Sequence, residues 1–432
     1  MPSLTHLGLY YNELRLGFPS FIWNCRNLTY LDLSLNKFSG SIPELVFTNL
    51  PSLEYLNLSS NQFQGQLSSN ISKLSNLIDL RLATNNFCGP IPEDISLMLD
   101  LQLLELFSNS FRGSIPSSLG QLKNLRHLDL RTNALNSTIP PELGLCTNLT
   151  YLALDDNGLS GQLPLSLSNL FQLAELGLSG NILSGETSAN LIGNWTELIS
   201  LQLQNNSFAG KIPPEIGLLT KLQYLFLFQN HFTGSIPSEI GNLKTLTNLD
   251  LSGNRLSGPI PATVGDLTNL EGLLLFFNNL SGTIPPEIEN MVSLSTLDLN
   301  TNQLYGELPG NISRLSKLKN ISLFSNNFSG SIPGDFGKYS TFLTNVRFSN
   351  NSFSGAIPSE IGHLKSLIHL DLSRNKLSGP IPPAIGKLKS LQGLILSRNQ
   401  LSGPIPLELI NMESLVSLDL SRNQLSGPIP TI

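Results

Sequence analysis

The residue types that most often carry catalysis are not grouped for it in this chain. The nucleophile elbow G-x-S-x-G, a nucleotide-binding glycine loop and a kinase signature are all missing from the sequence. The histidines show no metal-ligand spacing; they are His6, His127, His231, His363 and His369. The sequence therefore predicts no enzyme, no metal site and no cofactor.

Aromatic and apolar residues are grouped instead, in a way that suits recognition. They are Tyr224, Phe226, Phe228, Leu274, Phe276, Phe277 and Phe324. An exposed apolar stripe of this kind is expected at a binding surface and is costly elsewhere. The alternative is structural, with the rings of Phe107, Phe228, Phe276 and Phe324 covering the edge of a sheet beside a repeated turn.

Polar residues lie between and beyond these aromatic residues. Those placed to exchange hydrogen bonds with a peptide backbone are Asp250, Ser252, Asp298, Asn300 and Thr301. Those placed to attract an anion are Arg347, Arg374, Arg398 and Arg422. The alternatives are a solvated sheet face and an arginine column neutralised by Asp371 and Asp419. A second polar cluster is typical of a self-satisfied surface network and contains Asp129, Arg131, Asp155 and Asp156.

The elements that would position these residues follow from a repeat. Eighteen asparagines recur from Asn12 to Asn423 at intervals of 24 residues, with three intervals of 25. Nearly all lie in the frame L-x-x-L-x-L-x-x-N-x-[LF], and most frames continue into S-G-x-I-P. A fixed period of this length is the mark of stacked repeats.

Within one repeat the L-x-L triplet alternates as a half-buried strand does, so Leu249 and Leu251 should point inward and Asp250 outward. Stacking buries each leucine column, at roughly 1.5–3 kcal/mol for each side chain. The asparagine amide should satisfy backbone groups of neighbouring turns, which makes it structural. The sequence predicts an α/β repeat solenoid of about 18 leucine-rich repeats, with a parallel β-sheet on its concave face.

Composition predicts a single leucine-rich-repeat domain over residues 1–432, because no linker or charge run interrupts the period. The net charge of −6 argues against nucleic acid as a partner. Cys25 and Cys146 occupy the same slot before the first leucine of their frames, which predicts two small buried side chains, whereas Cys88 should be partly exposed.

The extended frame L-x-x-L-x-L-x-x-N-x-L-S-G-x-I-P-x-x-[IL]-G-x-L, complete around Ile236, Pro237, Ile240, Gly241 and Leu243, resembles the plant-specific leucine-rich repeat. Over all eighteen repeats the chain is similar to the ectodomain of plant leucine-rich-repeat receptor-like kinases. The resemblance implies a right-handed superhelix that binds a secreted peptide on its concave surface, with a shorter leucine-rich-repeat co-receptor ectodomain closing over the complex.

The same resemblance implies further parts. They are a signal peptide and cysteine-bearing cap before the array, and a membrane helix and cytoplasmic Ser/Thr kinase after it. None of them is found in this sequence, and the repeats run to both ends, so caps are expected to be missing and the chain to be either a fragment or a truncated gene product. The expected location is the extracellular face of the plasma membrane.

Two alternatives to a peptide receptor remain at the level of sequence. One is a secreted or wall-associated protein that binds a microbial enzyme or a glycan, like plant inhibitors of pectin-degrading enzymes. The other is a truncated decoy. Among the N-x-[ST] sequons, Asn70 and Asn311 are the preferred glycosylation sites, because they fall on the outer flank of the predicted solenoid.

Overall fold

The computed structural model describes residue 1 and residues 3–430. By the contacts between its residues the chain divides into two compact units, Met1–Ala209 and Gly210–Ile432. Each unit is built from the same repeat. The single domain over residues 1–432 stays a prediction, and Pro2, Thr431 and Ile432 lie outside the described residues.

Each repeat contributes one short strand at its L-x-L triplet, and these strands form the main sheet of each unit. In unit 1 they are His6–Gly8, Tyr30–Asp32, Tyr55–Asn57, Asp79–Arg81, Leu103–Glu105, His127–Asp129, Tyr151–Ala153, Glu175–Gly177 and Ser200–Gln202. In unit 2 they are Tyr224–Phe226, Asn248–Asp250, Gly272–Leu274, Thr296–Asp298, Asn320–Ser322, Asn345–Arg347, His369–Asp371, Gly393–Ile395 and Ser417–Asp419.

Neighbouring strands of a main sheet pair in parallel, and each residue lies opposite the equivalent residue of the next repeat. Leu225 is opposite Leu249, and Leu249 is opposite Leu273. The register stacks identical positions of successive repeats into columns. The buried columns form the core, in which Leu249 and Leu251 are completely shielded from solvent. The predicted parallel leucine-rich-repeat fold is confirmed.

A second strand follows the asparagine of each repeat, and we call these the lateral strands. They are Arg15–Leu16, Lys37–Gly40, Gln62–Gln66, Asn86–Gly89, Ser110–Gly113, Ala134–Thr138, Gly158–Gly161, Ile182–Glu186, Ser207–Lys211, His231–Gly234, Arg255–Gly258, Asn279–Gly282, Gln303–Gly306, Asn327–Phe328, Ser354–Gly355, Lys376–Gly379, Gln400–Gly403 and Gln424–Leu425.

A helical turn closes most repeats on the side away from the main sheet. The 3-10 turns are Ser20–Asn24, Ser69–Lys73, Glu93–Leu97, Ser117–Gln121, Pro141–Leu145, Leu165–Asn169, Pro214–Leu218, Ser238–Asn242, Ala262–Asp266, Pro286–Asn290, Gly310–Arg314, Ser359–His363, Pro383–Lys387 and Leu407–Asn411. Proline precedes most of these turns, because its fixed φ suits the residue at a helix start. Close stacking explains the glycine within the turn, since a Cβ at Gly241 would lie 2.5 Å from Thr263 O.

The 25-residue intervals place their extra residue in this turn and not in the strands. Two of the three intervals carry an α-helix in place of the 3-10 turn, at Glu44–Asn49 and Ala189–Asn194. In the third interval Gly337 turns the chain with φ +100°. The extra residue is absorbed away from the main sheet, so the strands keep their register.

The asparagine column holds successive repeats together. In Asn278 the Nδ2 amide donates to Leu251 O of the preceding repeat at 3.0 Å and to Leu275 O at 3.1 Å. Its Oδ1 atom accepts the backbone N–H of Leu256 at 3.0 Å. The same set recurs at Asn254, Asn302 and Asn326. The predicted structural role of this column is therefore confirmed.

The cysteines match their predicted environments. Cys25 and Cys146 are buried, Cys88 is partly exposed, and all three are free. The Cys146 thiol donates to Leu119 O at 3.2 Å, and burial raises the pKa of Cys146 to about 11. Cys146 is therefore a protonated core residue at neutral pH.

We expect Asn278→Ala to destabilise unit 2 by about 2–3 kcal/mol, because it leaves one buried N–H and several buried carbonyls without their partner. Hydrogen–deuterium exchange should show lost protection at the Leu256 amide. The matched control is Asn279→Ala, which removes an exposed neighbouring amide and should change neither stability nor exchange. Equal protection of Leu256 in both variants would contradict this role.

Candidate functional site

The outward-facing surface of the nine main-sheet strands of unit 2 carries the predicted recognition residues, and we call it the unit 2 face. Each repeat presents one outward position between its two strand leucines and a second just after them, and the residue before the first leucine, such as Tyr224, also faces outward. The parallel register places Phe226, Asp250, Leu274, Asp298 and Ser322 side by side in the first column.

The second outward column follows from the same register. Its members in chain order are Phe228, Ser252, Phe276, Asn300 and Phe324. The residue after this column precedes the repeated asparagine and has positive φ, 51° in Phe277 and 54° in Arg374. This positive φ directs the side chain of the residue away from the core.

The aromatic residues form two contacting groups on the unit 2 face. The ring of Phe226 lies 6.2 Å from that of Tyr224 and 6.4 Å from that of Phe228, and the rings of Phe276 and Phe277 are 5.8 Å apart, between centroids. Such tilted and edge-on pairs are favourable geometries for aromatic rings. Tyr224 and Phe277 are exposed, by 40% and 56%. Phe226, Phe228, Leu274, Phe276 and Phe324 are half-buried, which is less exposure than the sequence suggested.

The polar residues between these groups are already hydrogen-bonded to one another. The Ser252 hydroxyl donates to Asp250 Oδ1 at 2.6 Å, and the Asn300 amide donates to Asp298 Oδ1 at 2.6 Å. Ser252 and Asn300 are also buried. The expectation that they donate to a peptide therefore needs revision, because their donors are used within the sheet.

The two carboxylates of this network are partly shielded from water. Burial raises the pKa of Asp250 and of Asp298, while the hydrogen bonds from Ser252 and Asn300 act in the opposite direction. Thr301 also belongs to the network, because its hydroxyl donates to Asn300 Oδ1 at 2.9 Å. The network gives the unit 2 face two acidic positions, two repeats apart.

The arginines continue the unit 2 face beyond Phe324. Arg347 belongs to the first outward column, whereas Arg374, Arg398 and Arg422 occupy the positive-φ position of consecutive repeats. All four are exposed, and none makes an ion pair with a carboxylate among the described residues. Asp371 accepts the Ser373 hydroxyl at 2.7 Å, and among the described residues it forms no ion pair with the arginine column.

A hollow of about 540 Å³ lies beside Phe324 and Arg347 and includes residues that sequence reasoning missed. His369, Gln392, Gly393 and Ile395 line it. A Cβ at Gly393 would lie 2.9 Å from His369 Nδ1, so glycine leaves the imidazole its space. The sequence feature that could have indicated this hollow is Gly393, which lies at an outward strand position usually filled by a larger side chain.

The predicted polar cluster in unit 1 is a separate network. Asp129 is buried, its Oδ2 atom lies 3.1 Å from Arg131 Nε, and burial raises the pKa of Asp129 to about 6 although Arg131 opposes the shift. Burial and two nearby arginines lower the pKa of His127 to about 4. Asp155 accepts the Ser179 hydroxyl at 2.6 Å. The prediction of an internally paired network agrees with these contacts, to which Asp156 adds a backbone hydrogen bond from its N–H to Ser179 O at 2.8 Å.

The glycosylation sequons stay predictions. Asn70 and Asn311 are partly exposed and lie in the turns Ser69–Lys73 and Gly310–Arg314. The Asn70 amide donates to Glu44 Oε2 at 2.7 Å. Among the described residues, no cluster of histidine, cysteine or acidic side chains is suited to a metal ion. Over the same part of the chain, none of the helices combines the length and apolar character needed to cross a bilayer.

Comparison with known families and structures agrees with this architecture. A leucine-rich repeat region model matches residues 212–321, and a leucine rich repeat model matches residues 341–401. A third Leucine Rich Repeat model matches residues 27–49, 52–74, 100–122, 124–146, 148–170, 197–219, 317–339 and 414–432.

Solved plant structures are similar over nearly the whole chain. The chain is 37% identical to the Arabidopsis receptor kinase HAESA, solved in complex with the peptide hormone IDA and the co-receptor SERK1, with a TM-score of 0.89, covering 99% of this chain and 76% of that one. It is 34% identical to the plant peptide hormone receptor RGFR1, solved in complex with RGF2, with a TM-score of 0.85, covering 100% and 80%. The chain belongs to the leucine-rich-repeat ectodomains of plant receptor kinases.

Another ectodomain of this family is longer than the chain. The leucine-rich-repeat ectodomain of GASSHO1/SCHENGEN3 from Arabidopsis thaliana, in complex with CASPARIAN STRIP INTEGRITY FACTOR 2, is 38% identical, with a TM-score of 0.87 over 99% of this chain. The chain spans 54% of the length of that structure.

The raised pKa of Asp129 predicts a pH-dependent stability of unit 1. A carboxyl whose pKa rises from 3.8 unfolded to about 6 folded stabilises the fold below pH 3.8, and this contribution disappears as the pH rises through 6. Relative to Asp129→Asn, the native chain should lose about 2 kcal/mol of unfolding free energy between pH 4 and pH 6.5. Urea denaturation at both pH values measures this, with the exposed Asp100→Asn as control. A parallel pH dependence in native chain and Asp129→Asn would contradict it.

Proposed function

We propose that this chain is the ligand-recognition part of a plant receptor kinase and that it binds a secreted peptide on the unit 2 face. The observation that carries the proposal is the set of aromatic side chains at outward positions of a sheet whose usual outward residues are small and polar. Aromatic residues are enriched among the residues that dominate binding energy. The complex of HAESA with the peptide hormone IDA and that of the peptide hormone receptor RGFR1 with RGF2 support the same function.

The site begins at Tyr224 and Phe226, continues through Phe276 and Phe277, and reaches Phe324. Two repeats separate its aromatic groups, about 10 Å at a strand spacing of about 4.8 Å. The whole stretch is therefore about as long as six to eight residues of an extended chain. Arg347 and Arg374 follow at the far end, where positive charge favours an acidic group of the ligand.

Recruitment of a shorter leucine-rich-repeat co-receptor belongs to the same proposal. HAESA is seen with both a peptide and the co-receptor SERK1. By that likeness we place the chain on the extracellular face of the plasma membrane, as one recognition domain of a protein that also carries a cytoplasmic Ser/Thr kinase. A bound peptide and the sheet that holds it would together form the co-receptor's binding surface.

A screen against secreted plant peptides tests this function. In the double variant Phe228→Ala with Phe276→Ala, we expect the affinity for a bound peptide to fall by at least about 2 kcal/mol, or roughly thirtyfold, because two interface anchors are removed. Calorimetric titration measures the loss.

The control variant is Tyr305→Ala, which removes a ring that is 54% exposed in a lateral strand of the same unit. It should leave the affinity unchanged. Undiminished binding by a correctly folded double variant would exclude this face as the site. Binding only to a microbial wall-degrading enzyme or an oligosaccharide would favour the defence-inhibitor alternative.

A further inference from the structure

The aromatic residues of the second outward column alternate with buried polar residues. Phe228, Phe276 and Phe324 occupy every second repeat, and Ser252 and Asn300 occupy the repeats between them. The fold repeats every strand, whereas the aromatic pattern repeats every two strands. The stacking of the core does not require this doubled period, because every repeat buries apolar side chains at the same positions.

The doubled period sets a distance that a ligand must match. With neighbouring strands about 4.8 Å apart, successive rings of the column lie about 9.6 Å apart. A polyproline II helix has three residues per turn and a rise of about 3.1 Å, so its residues i, i+3 and i+6 lie on one face about 9.3 Å apart. The spacing of ligand residues i, i+3 and i+6 therefore matches the spacing of the three rings along the whole column.

A β-strand does not match in the same way. Its residues on one face recur every second residue, about 6.7 Å apart, and the residue three positions on points to the opposite face. A strand can reach Phe228 and Phe324 with residues i and i+6, but its residue i+3 points away from Phe276. Phe276 is therefore the position at which the two ligand conformations differ.

The slots between the rings suit an apolar ligand group. Their floor is formed by Ser252 and Asn300, which are only 2% and 5% exposed and already donate to Asp250 and Asp298. A prolyl ring placed over such a floor leaves no donor of these two side chains without a partner, so the usual penalty of covering polar groups is small. Aromatic-lined grooves recognise polyproline II segments in this manner.

Charge adds a second requirement on the ligand. Asp250 and Asp298 recur with the same two-repeat period as the aromatic rings, and neither forms an ion pair among the described residues. A basic ligand residue next to each apolar one would meet these carboxylates. The complementary ligand therefore has an apolar residue at every third position, with lysine or arginine beside it.

We propose that the unit 2 face selects a polyproline II peptide, with apolar residues at i, i+3 and i+6 over Phe228, Phe276 and Phe324 and basic residues facing Asp250 and Asp298. This inference rests on the proposed peptide-binding function and adds the conformation and sequence period of the ligand.

Two synthetic peptides of identical composition test it on the full chain. The first consists of three Leu-Lys-Pro triplets, acetylated and amidated at its ends. The second contains the same nine residues with leucine at the first, third and fifth positions. By fluorescence anisotropy we expect the triplet peptide to bind about tenfold more tightly than its isomer, because only the triplet peptide presents leucine to all three rings.

Single variants then locate the contact. Phe276→Ala should weaken binding of the triplet peptide about as much as Phe228→Ala does, roughly tenfold, whereas Tyr305→Ala should have no effect. Asp298→Asn should weaken the triplet peptide and leave unchanged an analogue in which norleucine replaces each lysine. Amide exchange of the neighbouring leucines confirms that each variant is folded.

Three results would overturn the inference: equal affinity for both isomers, unchanged binding of the triplet peptide to folded Phe276→Ala, or no binding of the triplet peptide at about 1 mM. Its failure is separable from failure of the proposed function. If a secreted peptide is found that Phe228→Ala with Phe276→Ala no longer binds, the receptor function stands even when both isomers bind equally.

Discussion

The amide side chain of the repeated asparagine is the interaction on which the rest of the structure depends. A turn that enters the core after every strand would leave backbone carbonyls and N–H groups buried without partners. Asn278 satisfies groups of its own repeat and of the preceding one at the same time. Because the amide spans two repeats, it fixes both the depth of the turn and the stacking distance, and through them the register of the main sheet.

The residues that stabilise the fold are distinct from the outward residues of the sheet, so the outward positions are free to vary. The leucine columns and the asparagine column stabilise the fold, so a residue such as Phe226 or Asp250 can change without disturbing either column. The outward residues still interact with each other, as the bond between Ser252 and Asp250 shows. A recognition surface on this fold is therefore a set of columns whose polar members are already hydrogen-bonded to one another before any ligand arrives.

The repeat made the fold and the placement of most site residues predictable from sequence. A period of 24 residues determines which leucines are buried, and it also placed Phe228, Phe276 and Phe324 in one column. The sequence could not predict features that depend on the local packing of side chains. The Ser252 donor is used by Asp250, and the hollow beside Phe324 depends on the space that Gly393 leaves for His369. A pattern of residue types does not show the first contact, and it indicates the second only through the glycine at an outward strand position, Gly393.

The difference between the period of the fold and that of the aromatic column has an evolutionary consequence. Repeat proteins commonly change by gain or loss of whole units, and such an event here preserves every buried contact. Gaining one repeat between Ser252 and Phe276 would nevertheless widen one gap between rings by a single strand and leave the other unaltered. An odd number of inserted repeats thus breaks the alternation, whereas a pair can extend it. One recombination event could create a receptor of new specificity without passing through a poorly folded ancestor.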